Sequence, residues 1–116
     1  MINSFKYAGE GLLWIVQHHR NFRIYLFVAV IVLLASVYFR LSRNDFIIIL
    51  FTTVLCLMAE MLNTALEEVT DLITVKWSHQ AKVVKDVAAA ISLVSAITSV
   101  IVGFLIFAPY IGWEFI

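Results

Sequence analysis

Residues 59–71 read AEMLNTALEEVTD and close a run of fourteen uncharged residues, 46–59, FIIILFTTVLCLMA. A hydrocarbon core about 30 Å thick needs roughly 20 helical residues to cross it. Fourteen reach only about 21 Å at 1.5 Å per residue. To span, this helix must continue through Glu60 and Asn63 toward Leu66, giving a span of 46–66 that sets a carboxyl group at or just inside the membrane boundary.

The rest of the chain supports a bilayer as the solvent. Of 116 residues, 63% are hydrophobic and 14% charged, with a mean hydropathy of +0.99, so polar side chains are too few to cover a water-soluble globule. Two further segments meet the length requirement. One is 22–39, interrupted only by Arg23, near enough to its start to snorkel to the headgroups; the other is 87–108, free of charge and closed by Pro109. Ahead of them, NSFKYAGEGLLWIVQHHRN lacks the uninterrupted apolar core and small-residue cleavage pattern of a signal peptide. At 100° per residue, Asn3, Lys6, Glu10, Gln17, Arg20 and Asn21 share an arc of about 100°. That pattern predicts an amphipathic surface helix over about 3–20 lying in the interface. The expected fold is therefore all-α and membrane-integral: one surface helix and three spans, forming a single domain over 1–116.

Eight basic and eight acidic residues balance, so overall charge gives no reason for a nucleic-acid partner. Cys56 is the single cysteine and sits in an apolar run, which rules out an intrachain disulfide and suits a small packed hydrophobe. Lys6, Arg20, Arg23, Lys76, Lys82 and Lys85 fall on one side of the three spans, and only Arg40 and Arg43 on the other. This bias predicts a cytoplasmic N-terminus, a cytoplasmic 67–86 segment and an outside C-terminus, with Trp77, Tyr110 and Trp113 as interface anchors.

The acidic stripe carries the chemistry. On a helix through residue 60, positions 63, 64, 67 and 71 return to within about 60° of it, so Glu60, Asn63, Thr64, Glu67 and Asp71 line one face. Glu67 and Asp71 lie about 10 and 16 Å further along the axis than Glu60, toward water. A carboxylate shielded by lipid suits a general base that takes a proton from an alcohol. Hard oxygen donors nearer water suit Mg²⁺ carrying phosphate oxygens, and Lys85 could neutralise a phosphoryl group in transfer. Plainer roles exist for each piece. Asn63 and Thr64 can bond across helices, Lys82 and Lys85 can simply mark the cytoplasmic side, and Asp86 can cap the third span. His18, His19 and His79 fit interfacial positions.

The run EMLNTALEEVTD, followed by AKVVKDVAAA, resembles the small prokaryotic integral-membrane diacylglycerol kinase family, whose signature is Glu-x-x-Asn-(Ser/Thr)-Ala-(Ile/Leu)-Glu, then an Asp, then Ala-Lys and Lys-Asp near the third span. Gly11-Leu12 and Arg20-Asn21 extend the likeness over nearly the whole chain. The resemblance implies a MgATP-dependent lipid kinase and a homotrimer with sites shared between subunits. Glu60 would accept the proton of the lipid hydroxyl. Glu67 would hold the Mg²⁺ on ATP. Lys85 with Asp86 would contact the phosphates, with Tyr7 and the Lys76-Trp77-Ser78 turn near the nucleotide, and Asn21, Phe22, Arg23 and Asn63 beside the lipid.

Two departures stand out. The family's second metal-binding glutamate is replaced by His19, and hard Mg²⁺ matches imidazole poorly, so Glu67 would need help from Asp71 or Glu10. The family's acidic-aromatic-His turn reads Lys76-Trp77-Ser78, with His79 displaced by one. RNFRIY and AKVVKDVAAA look more like the undecaprenol-kinase branch than the diacylglycerol-specific one, which makes undecaprenol the expected acceptor and diacylglycerol the alternative. A different class, a small proton-coupled transporter or channel subunit, would use Glu60 as a proton site but give Lys85 and Asp86 no task.

Overall fold

The computed structural model describes residues 1–112, so Trp113 lies outside the described residues. Four helices follow one another: α1 (Ile2–His18), α2 (Arg20–Tyr38), α3 (Arg43–Ile73) and α4 (His79–Phe107), with a short 3-10 helix, Ala108–Ile111, at the end of α4. Helices α2, α3 and α4 are each long and apolar enough to cross a membrane. Among the described residues there is no strand.

Each helix starts before the expected span; α3 also runs past its end, whereas α2 and α4 stop one residue short of 39 and 108. α3 has 31 residues, about 46 Å of helix, and continues without a break from the apolar run through Glu60 to Ile73. α4 begins at His79, well before the uncharged stretch at 87. Its first turn is capped by Ser78, whose Oγ accepts from the Ala81 N–H at 3.0 Å, so the capping role considered for Asp86 is not used. Ser42 caps α3 in the same way, accepting from the Asp45 N–H at 3.2 Å. Apolar content marks the part of a helix that lies in lipid, whereas the caps mark where the helix ends.

The N-terminal helix α1 covers Ile2–His18, where a surface helix is expected over 3–20. It stops at His18, because His19 takes an extended conformation (φ −122°, ψ 110°) that turns the chain into α2. Arg20 and Asn21 therefore open α2 instead of extending the polar arc of α1. The corner is closed from the far side. Arg23 Nη1 donates to the carbonyls of Val16 at 2.8 Å and Gln17 at 3.1 Å, placing a cation on the otherwise unpaired carbonyl end of α1.

α3 and α4 form an antiparallel hairpin joined by residues 74–78, and α2 packs against α3. The residues buried between helices are mostly small: Ala29, Ser36, Ala59, Thr64, Ala88 and Ser92. Large side chains such as Phe27, Phe51 and Val100 face outward. In lipid, helices gain from close van der Waals contact and interhelical hydrogen bonds, and small residues permit that approach.

At the end away from Asp71, the α2–α3 turn is tied to the end of α4. Arg40 adopts a left-handed conformation (φ 54°), and the Leu41 N–H reaches back to the Ser36 carbonyl at 3.1 Å, which closes α2. Tyr110 then donates to Asp45 Oδ2 at 2.6 Å and accepts from the Ser42 N–H at 3.0 Å. Tyr110→Phe removes both bonds, and we expect it to lower unfolding stability by about 1 kcal/mol. The check is thermal unfolding in detergent: a reduced melting temperature at unchanged helix content is expected, and an unchanged one would show that the clasp contributes nothing.

Candidate active site

The continuous α3 delivers the acidic stripe to two separate cavities. Glu60 sits where α3 meets α4 and is only 4% exposed. Ser92 Oγ, on α4, donates to Glu60 Oε2. One turn on, Thr64 is equally buried and its hydroxyl donates back to the Glu60 carbonyl at 3.0 Å. Asn63, Thr64, Glu60 and Glu67 then form one wall of an open cleft of about 220 Å³. The other wall is the α1–α2 corner, His18 to Asn21. The break at His19 thus has a consequence for the site, since it turns four polar residues onto the α3 stripe.

Asn63 Oδ1 is buried without a hydrogen-bond partner among the described residues. A buried acceptor left unpaired costs on the order of 1–3 kcal/mol.

Asp71 turns away from the first cleft. Lys85 donates from Nζ to Asp71 Oδ1 at 2.6 Å, joining α3 to α4 at the mouth of a second cavity of about 330 Å³. Lys76, Trp77, Ser78 and Asp86 also line it. Asp86 is paired along the helix with Lys82 at 2.6 Å. Lys85 precedes the uncharged part of α4 and so lies outside the membrane-spanning segment. Its ammonium pKa is raised, first by the hydrogen bond to Asp71, which outweighs an opposing effect of desolvation, and further by the negative charges of Asp71 and Glu67. The contribution of Lys85 to this pair is lost as pH rises through its raised folded-state pKa, so at neutral pH Lys85 is a cation paired with Asp71.

The remaining predicted residues are placed as follows. Tyr7 is 65% exposed on α1 and lines neither cavity. Phe22 is buried at the start of α2, and Arg23 is committed to the α1 carbonyls. His19 borders the first cleft, with Nε2 3.8 Å from Glu68 Oε1 and its ring tilted against Trp14. Glu10 is exposed. Among the described residues, no three His, Cys, Asp or Glu side chains gather closely enough to cage a metal. The donor set nonetheless suits Mg²⁺ delivered with a nucleotide, since that ion keeps waters and phosphate oxygens and needs only one or two carboxylates from a protein. Glu67 is the carboxylate available in the cleft. Sequence reading missed Ser92. Its signal was the spacing of Ala88, Ser92, Ser95 and Ser99, a small-residue line on one face of α4.

Three helices long and apolar enough to cross a membrane, with a buried carboxylate and a polar cleft among them, are those of an integral membrane protein. The comparisons agree with that class. Residues 6–107 match the prokaryotic diacylglycerol kinase family, and the chain belongs to it. It is 38% identical over 110 residues to a diacylglycerol kinase of Synechocystis sp., covering 94% of this chain and 63% of that protein, so the chain spans less than two thirds of that relative's length. It is 39% identical over 106 residues to an undecaprenol kinase of Bacillus subtilis, covering 91% of this chain and 86% of the other.

Proposed function

We propose that this protein is a lipid kinase that transfers the γ-phosphoryl group of ATP to the hydroxyl of a membrane lipid alcohol, with undecaprenol as the preferred acceptor. The observation that carries the reading is a buried carboxylate, Glu60, lining a polar cleft in a member of this family. The preference for undecaprenol rests on the RNFRIY and AKVVKDVAAA stretches; diacylglycerol is the alternative acceptor, and relatives of both names are equally similar to this chain.

In this reading the lipid hydroxyl enters beside Glu60 from the bilayer, with Asn21, Phe22, Arg23 and Asn63 around it. Glu60 accepts the hydroxyl proton as the lipid oxygen bonds to the γ-phosphorus and the bond to the ADP oxygen breaks. Asn63 Oδ1 accepts a hydrogen bond from the bound substrate. Glu67 would hold Mg²⁺, which when bound would supply charge neutralisation on the phosphates. Lys85 exchanges its bond to Asp71 for a phosphate oxygen, a swap between two anions that leaves the ammonium paired throughout. Asp86, the Lys76-Trp77-Ser78 turn and Tyr7 flank the nucleotide, the last supplied by α1 as a partial cover. Of the two further candidates for the metal, His19 shares the cleft with Glu67, whereas Asp71 is paired with Lys85 at the second cavity. The N-terminus and the 67–86 segment face the cytoplasm, where ATP is found, and α1 lies in the interface. The large outward apolar surface of α2 to α4 is covered by lipid and by two further copies in a homotrimer.

Purified protein in detergent, given MgATP and either undecaprenol or diacylglycerol, should yield phosphorylated lipid, faster with undecaprenol. Glu60→Gln should reduce turnover by at least about 10²-fold with the oligomer intact, as loss of a general base does. Retained turnover in that variant, or no product with either lipid, would refute the proposal. Glu67→Gln should raise the Mg²⁺ concentration needed for half-maximal rate about tenfold or more, read from a Mg²⁺ titration. An unchanged titration would remove Glu67 from the metal.

A further inference from the structure

We infer that Ser92 is a positioning residue for Glu60: it holds one carboxylate oxygen, so that the other is the one presented to the lipid hydroxyl. The inference rests on the reading of Glu60 as proton acceptor given above.

Ser92 and Glu60 are 32 residues apart in sequence, yet the Ser92 hydroxyl donates to Glu60 Oε2 across the α3–α4 contact, with both side chains more than nine-tenths buried. The usual fate of a hydroxyl in these helices is different. Ser36, Thr52, Thr53, Thr64 and Ser99 each donate to the carbonyl four residues earlier on their own helix. Ser92 forgoes that local bond for a carboxylate on another helix.

The surrounding residues make the contact possible. Ala88, one turn before Ser92, is completely buried, and Ala59 beside Glu60 is buried as well, so the helices approach closely here. Ser95 donates to the Ser92 carbonyl at 2.7 Å.

A carboxylate on three rotatable bonds has many orientations, and a base is effective only in a few. A buried donor on one oxygen selects among them and leaves the second oxygen as the acceptor facing the cleft. The alternative role is interhelical attachment alone, which would act on stability and leave the chemical step unchanged. The two roles differ in what they do to kcat.

The test uses the full chain in detergent with MgATP and whichever lipid alcohol turns over. Ser92→Ala should lower kcat about tenfold, as expected for loss of a hydrogen bond to a charged group, with both KM values within about twofold of wild type. Ser92→Thr keeps the hydroxyl and should restore most of the rate. Ser92→Cys fills nearly the same volume but donates weakly, so it should remain as slow as Ser92→Ala. The inference is overturned if Ser92→Ala keeps kcat within about twofold, if its loss appears only in KM, or if Ser92→Cys matches wild type. Glu60→Gln measured alongside separates the two failures. An active Glu60→Gln would defeat the reading of the site, whereas an inactive Glu60→Gln with a fully active Ser92→Ala would defeat only the role given to Ser92.

Discussion

A backbone inside hydrocarbon cannot leave its N–H and C=O groups unpaired, so a membrane span that has begun as a helix must continue as one until it reaches water. That constraint governs α3. Its uncharged run ends at Ala59, too early to cross, and the helix proceeds through Glu60, Asn63 and Thr64 to Ile73. In the proposed kinase, polar side chains are thereby carried into the boundary region on a rigid element. The cost of placing a carboxyl group there is offset by the hydrogen bond from Ser92 and by the cleft that gives Glu60 a polar side.

Rigidity alone would produce one straight line of acids. The division into two cavities comes from the neighbours of α3. The corner at His19 brings His18 to Asn21 against Glu60 through Glu67, and the hairpin turn brings Lys85 against Asp71. In the proposed kinase these are the lipid-side and nucleotide-side halves of one reaction path, separated along the axis by the 10–16 Å that the helical rise puts between Glu60 and the outer acids. The exposed Lys85–Asp71 pair is of the kind that contributes little to stability, so its rearrangement costs the fold little.

Much of this was legible in the sequence, and for identifiable reasons. Three spans follow from apolar length, and the stripe follows from the 3.6-residue period, because both depend only on local geometry. The end of α1 was not legible, since its break depends on Arg23 reaching back from the next helix to the Val16 and Gln17 carbonyls. Asp71 could not be assigned to one cavity from its position on the stripe, because its partner Lys85 lies across the hairpin. Ser92 was overlooked for the same reason: a serine in an uncharged span reads as a small packing residue until the opposite helix shows a carboxylate within reach.

The most direct test concerns where α3 leaves the membrane. Nitroxide labels placed singly at the exposed positions Met58, Leu62, Val69 and Leu72, with Cys56 replaced by Ala, can be compared in bilayers for collision with oxygen and with a water-soluble nickel complex. The account predicts lipid depth at 58, a crossing just beyond 62, and water at 69 and 72, with depth falling steadily at about 1.5 Å per residue. Equal water exposure at 58 and 72, or a reversal of depth between them, would contradict it.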